Sequence, residues 1–134
     1  MHCLPGLTFL AVVGISVAAA AAEDLESCAD KPYQVIDGAV DRATYNGFRR
    51  YNATCSHCHG PDGVGSTFGP SLIDRPLPYA EFEKVVLEGS RTGTSVMQGF
   101  AGDPNVEEHI RDMYIYLCAR ADGAVGRGRP KRIP

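Results

Sequence analysis

Tryptophan is absent from the 134 residues, aromatic residues make up only 8%, and neither sign of charge dominates. Thirteen Lys and Arg stand against 16 Asp and Glu, for a net charge of −3. A chain this poor in basic excess is not expected to take nucleic acid as a main partner, because phosphate binding calls for a basic face. After residue 22 no apolar run is long enough to cross a bilayer. Internal repeats are missing, and so is a second C-x-x-C or an H-x-x-x-H, which leaves no complete zinc site. With 44% hydrophobic and 22% charged residues, the chain is neither disordered nor collagen-like, and its length fits one domain. Fifteen glycines and nine prolines predict a loop-rich fold with short helices. Such folds often need a staple or a cofactor to complete the core.

Residues 1–22 hold no Lys, Arg, Asp or Glu. Leu7 to Val17 is an apolar stretch of signal-peptide length, and Ala20-Ala21-Ala22 supplies a small-x-small cleavage pattern. The expectation is a secretory signal cut near Ala22, with an uncleaved anchor as the alternative. Pro5, Gly6, Gly14 and the alanine run make the segment a poor membrane span. Export places the chain in the periplasm, with no stable membrane insertion after cleavage. The domain reading is a signal over 1–22, an N-terminal extension over 23–39, a main domain over 40–123 and a basic tail over 124–134.

Of the five cysteines, Cys3 falls in the signal, and Cys28, Cys55, Cys58 and Cys118 remain. Cys55-Ser56-His57-Cys58-His59 is a C-x-x-C-H motif. Two thiols separated by two residues on a helical turn can reach the two vinyl groups on one edge of a haem. The histidine that follows then sits under the iron. A thioredoxin-like pair would want a βαβ context that is absent here. One covalently attached haem c, held by Cys55 and Cys58 with His59 as proximal ligand, is therefore the expectation.

The helical pattern is coarse. Val40, Thr44, Gly47, Phe48 and Tyr51 mark one face of a first helix, which Asp41 starts and which runs to the haem cysteines. A glycine inside a helix costs about 1 kcal/mol against alanine, so Gly47 wants a reason, and the close approach of another helix backbone supplies one. An extended loop is expected over Gly60–Pro78. A second helix spans Tyr79 to Leu87, with Tyr79, Phe82, Val85 and Val86 inward and Gly89 as its stop. A last helix starts at Asp103-Pro104 and ends before Gly123. No strand is expected.

For the sixth position of the iron, Met97 follows the glycine-rich stretch 89–96 and sits on a loop able to arch over the distal face. Met113 lies on the stripe Val106, Ile110, Met113 and Leu117, which is core spacing. His109 and an open position remain the other choices. Thioether ligation favours ferrous iron, so a His59/Met97 pair implies a fairly positive potential. His57 should point outward. After haem attachment Cys28 and Cys118 are the only thiols left. An oxidising compartment favours their pairing, against two unpaired buried cysteines. The tail Arg127-Gly128-Arg129-Pro130-Lys131-Arg132 is expected to be solvated and mobile, or else to dock on an acidic partner.

Around the motif the chain resembles the class I cytochrome c family. That family places a glycine eight residues and an aromatic four residues before the first haem cysteine, and here Gly47 and Tyr51 stand there. Its Gly-Pro-x-Leu matches Gly69-Pro70-Ser71-Leu72. By resemblance, the Pro70 carbonyl accepts the proton on the far nitrogen of His59, and Tyr116 packs on the first helix. The family often has proline after its ligand methionine, whereas Gln98 follows Met97 here. The fold implied is all-α, with three or more helices wrapped around one haem. Thr44-Tyr45-Asn46-Gly47, the run 59–67 and the run 119–130 resemble, more narrowly, the periplasmic cytochromes that serve pyrroloquinoline-quinone alcohol dehydrogenases. The resemblance covers about residues 41–130. It implies a monomeric one-electron carrier, not an enzyme. Its donor would be a quinoprotein alcohol dehydrogenase of the methanol or ethanol type, and its acceptor another cytochrome c or a terminal oxidase. A carrier in another respiratory chain is the alternative, and so is an open-site haem protein such as a peroxidase or gas sensor.

Overall fold

A computed structural model describes residues 24–134, so the expected signal segment and its expected cleavage site lie outside the described residues. Elements follow in the order β1 (Val35–Ile36), β2 (Ala39–Val40), α1 (Arg42–Thr54), α2 (Ser56–His59), α3 (Tyr79–Glu88), β3 (Ser90–Thr92), β4 (Ser95–Met97), α4 (Pro104–Glu107), α5 (Ile110–Ala121) and β5 (Lys131–Arg132). Short 3-10 turns occupy Cys28–Asp30 and Pro61–Gly63.

α1 starts where Asp41 caps it. The carboxylate accepts from the Thr44 amide at 2.9 Å and the Thr44 hydroxyl at 2.8 Å, and so satisfies a backbone donor that the first turn leaves open. α5 is the centre of the molecule, since Met113 through Arg120 are all buried. A helix buried all round needs a neighbour on each side. α1 crosses it at Gly47, where a Cβ would fall 2.9 Å from Tyr116 Cβ. α3 meets it through Phe82 and Tyr114, whose ring centroids are 5.1 Å apart. The turn Cys28–Asp30 is joined to it by the Cys28–Cys118 disulfide.

Three features differ from the expectations drawn from sequence. The last helix is broken, because His109 has φ −126 and ψ 9 and its amide bonds to the Val106 carbonyl three residues back. Val106 and Ile110 both stay buried across the break. Short strands exist: β3 and β4 form an antiparallel hairpin with Ser90 opposite Met97, and β1, β2 and β5 form a small sheet. The tail is docked, because β5 pairs in parallel with β2, setting Ala39 beside Lys131 and Val40 beside Arg132. Among the inward residues expected on α3, Phe82 and Val86 are buried and Tyr79 and Val85 are half-buried. No helix among the described residues is long and apolar enough to cross a membrane.

Candidate haem site

Cys55 ends α1 and begins α2, so the backbone turns helically through the motif. The amides of Cys58 and His59 both donate to the Cys55 carbonyl, at 3.2 and 2.9 Å. This puts both thiols on one turn. Cys28 and Cys118 are joined to each other, and Cys55 and Cys58 are free. Cys55 is partly buried, with its Sγ 3.9 Å from Met113 Sδ, while Cys58 is exposed. Burial pushes the Cys55 thiol up to about 11, and the neighbouring Cys58 adds to the rise. An apolar setting of this kind suits a neutral sulfur such as a thioether.

His59 is buried, and its Nδ1 lies 2.9 Å from the Pro70 carbonyl oxygen. A carbonyl can only accept, so Nδ1 carries the proton and Nε2 keeps its lone pair for a metal. Gly69 flanks the ring closely, since a Cβ there would sit 3.0 Å from Nδ1 and 3.1 Å from Cε1. The turn after His59 is tied down by Tyr51, whose hydroxyl donates to the Gly60 carbonyl at 2.6 Å. Burial holds the Tyr51 phenol well above its ordinary value, so it remains a donor.

Pro70 also lines a cavity, with Leu72, Leu77, Phe82, Tyr114 and Leu117 as its apolar wall and Arg75 as its cation. Two free thiols on one turn, an imidazole with a fixed tautomer and an adjoining apolar cavity fit a haem. Arg75 went unnoticed in the sequence, where it is one charge in a proline-rich loop.

The other candidate ligands fall in different places. Met97 is half-buried at the end of β4, on the hairpin that follows α3, and packs against the core. It does not line the cavity beside Pro70. Met113 is only 1% exposed and belongs to the core. His109 stands at the start of α5, with its Nδ1 3.4 Å from Asn46 Nδ2. It lines a separate cleft among Arg42, Arg49 and Arg50. His57 is exposed, as its position inside the motif requires.

A buried histidine oriented by a proline carbonyl beside two thiols on one turn, in a small helical fold, defines a c-type cytochrome. Residues 42–117 match the family described as "Cytochrome C oxidase, cbb3-type, subunit III", and the chain belongs to the c-type cytochromes, with the class I fold and one covalently bound haem c. Cytochrome c-553I of Paracoccus denitrificans is 43% identical over 102 residues, 72% of this chain and 45% of that protein. Cytochrome c-555 of Methylococcus capsulatus is 40% identical over 92 residues, 66% of this chain and 72% of that one. The crystal structure of the c-type cytochrome XoxG from Methylobacterium extorquens AM1 superposes with a TM-score of 0.70 at 45% identity, covering 75% of this chain and 65% of XoxG. The chain thus spans under half of cytochrome c-553I and just under two thirds of XoxG.

Proposed function

We propose that this chain is a periplasmic monohaem electron carrier that accepts electrons from a quinoprotein alcohol dehydrogenase and passes them to another cytochrome c or a terminal oxidase. The observation that carries the haem reading is the 2.9 Å contact from His59 Nδ1 to the Pro70 carbonyl, beside two free thiols on one helical turn. In this reading Cys55 and Cys58 would hold the haem by thioether bonds, and His59 and Met97 would ligate its iron. The haem supplies reversible one-electron storage on its iron. Pro70 holds the His59 proton on Nδ1, which fixes the ring and raises the basicity of Nε2. Leu72, Phe82, Tyr114 and Leu117 would give a bound haem an apolar wall, and a low dielectric disfavours the extra charge of ferric iron. Arg75, at the wall of the cavity, would supply a cation for a haem carboxylate. The donor class rests on the likeness of runs 44–47, 59–67 and 119–130 to the cytochromes that serve such dehydrogenases, and the location rests on the apolar leader.

The test mixes the oxidised holoprotein with a purified quinoprotein alcohol dehydrogenase and alcohol while the haem absorbance is followed. Rapid growth of the reduced c-haem spectrum is expected. Reduction by dithionite alone would leave a carrier and remove the alcohol-dehydrogenase assignment.

A further inference from the structure

The basic C-terminal tail is a feature that electron carriage leaves without a task. Its docking site is the turn that follows the haem histidine. Asp62 lies three residues after His59 and is 5% exposed. Its backbone has φ 60, in the left-handed region that few side chains adopt, although aspartate is among those that do.

The carboxylate is engaged on both oxygens. Oδ1 accepts from the Gly128 amide at 3.1 Å and from the Tyr116 hydroxyl at 3.3 Å. Oδ2 accepts from Arg127 Nε at 3.3 Å. The backbone carbonyl of the same residue accepts from Arg120 Nε at 3.2 Å, and the Arg120 Nη1 donates to the Val125 carbonyl at 2.6 Å. One guanidinium therefore bridges the turn to the start of the tail, and one carboxylate joins the turn to the next part of it. The turn is also bounded on its other side by the Tyr51 hydroxyl on Gly60. His59 sits at the head of this clamped segment.

We propose that Asp62 is a positioning residue for His59: its carboxylate latches the C-terminal tail onto the haem-motif turn, so that the tail helps set the direction of the haem imidazole. The inference rests on His59 as the proximal ligand. The ion pair itself is the weaker part of the latch. The Arg127 side chain is 65% exposed against 7% for Asp62, so solvent and salt screen it. The hydrogen bonds from the part-buried Gly128 amide and the buried Tyr116 hydroxyl are the stronger part, because an unpaired carboxylate in that place would be costly.

The experiment compares ferric holoproteins carrying Asp62→Ala, Asp62→Asn or Arg127→Gln, or a chain ending at Val125. Two readouts are taken by NMR. Amide exchange at Gly128 reports the latch. The spread of the paramagnetically shifted haem methyl resonances reports the plane of the axial histidine. Asp62→Ala is expected to lower Gly128 protection at least tenfold and to change the methyl spread. The chain ending at Val125 should change the spread in the same sense, and the two changes combined should not add. Asp62→Asn keeps an acceptor oxygen and should stay near the wild-type spread, and Arg127→Gln should alter it least. A wild-type methyl pattern in the shortened chain would overturn the proposal, as would additive changes. Should Asp62→Ala fail to fold, the shortened chain and Arg127→Gln still decide the matter. A wild-type ferric spectrum without an axial histidine would instead overturn the His59 assignment, before any variant is compared.

Discussion

Gly47 decides how close α1 and α5 come, and replacing it with alanine separates two opposing effects. A Cβ at that position would lie 2.5 Å from the Asp112 carbonyl carbon and 2.9 Å from Tyr116 Cβ, and nearer still to the Asp112 carbonyl oxygen. Ordinary van der Waals contact starts at 3.4 Å, so the helices must part by more than about 1 Å. None of the atoms it meets is the far end of a flexible side chain, so no rotamer change relieves the clash. Alanine alone would favour α1 by about 1 kcal/mol through helix propensity. Overpacking of this kind costs about 1–3 kcal/mol. Parting the helices also loosens the Phe48–Tyr116 and Tyr51–Tyr116 contacts, whose ring centroids are 5.7 and 5.8 Å apart. A gap of 0.5–1 Å forfeits roughly a quarter to a half of such attraction. The net expectation for Gly47→Ala is a loss of about 2 kcal/mol. Guanidinium unfolding of the holoprotein measures it as a lower midpoint at unchanged slope. A midpoint that rises by the equivalent of about 1 kcal/mol would show that the propensity gain is all that remains, and the close-approach argument would be refuted.

The remaining predictions use other parts of the fold. Cys28→Ser with Cys118→Ser opens a bond between residues 90 apart in sequence, and should cost about 2–4 kcal/mol. The haem already restrains the unfolded chain, which keeps the loss below the full loop-entropy value. An unfolding midpoint indifferent to a reducing agent in the wild-type protein would refute this. Burial, and then its hydrogen bond to Glu83, push the Tyr79 phenol from 10.0 up to about 12. Because the folded value lies above the unfolded one, its contribution to stability is intact below pH 10 and is lost as pH rises through 12. Tyr79→Phe should therefore lose stability less steeply over that range, and an equal slope would count against it. Met97→Ala should abolish the sulfur-to-iron charge-transfer band and lower the potential, since a thioether favours ferrous iron. An unchanged spectrum would leave Met97 without the axial role.

What was legible in the sequence was local or periodic. The two thiols and the imidazole of Cys55, Cys58 and His59 lie within five neighbouring residues, so little more than one turn of helix assembles them. Gly47 was legible because glycine in a helix is unfavourable and so points to a contact. The stripe Val106, Ile110, Met113 and Leu117 named the core correctly, yet it was blind to the break at His109, because an i→i−3 bond leaves the buried spacing almost unchanged. The hairpin of β3 and β4 escaped because its strands are mostly exposed and show no alternation of apolar and polar residues. Its register comes from backbone pairing, which composition does not record.

The tail shows the same limit most sharply. Arg127 to Arg132 reads as solvated charge because nothing adjacent in sequence could hold it. Its partners are Val40, through strand pairing with Arg132, and Asp62, 65 residues before Arg127. In the sequence Asp62 is the middle of Pro-Asp-Gly, an ordinary turn signal in which aspartate is used for its backbone habits. Folding gives it a second use, because burial beside Tyr116 turns a turn residue into an acceptor for a distant segment. A haem motif can therefore be recognised from a few residues, while the contacts that hold the turn after its histidine depend on pairings across the length of the chain.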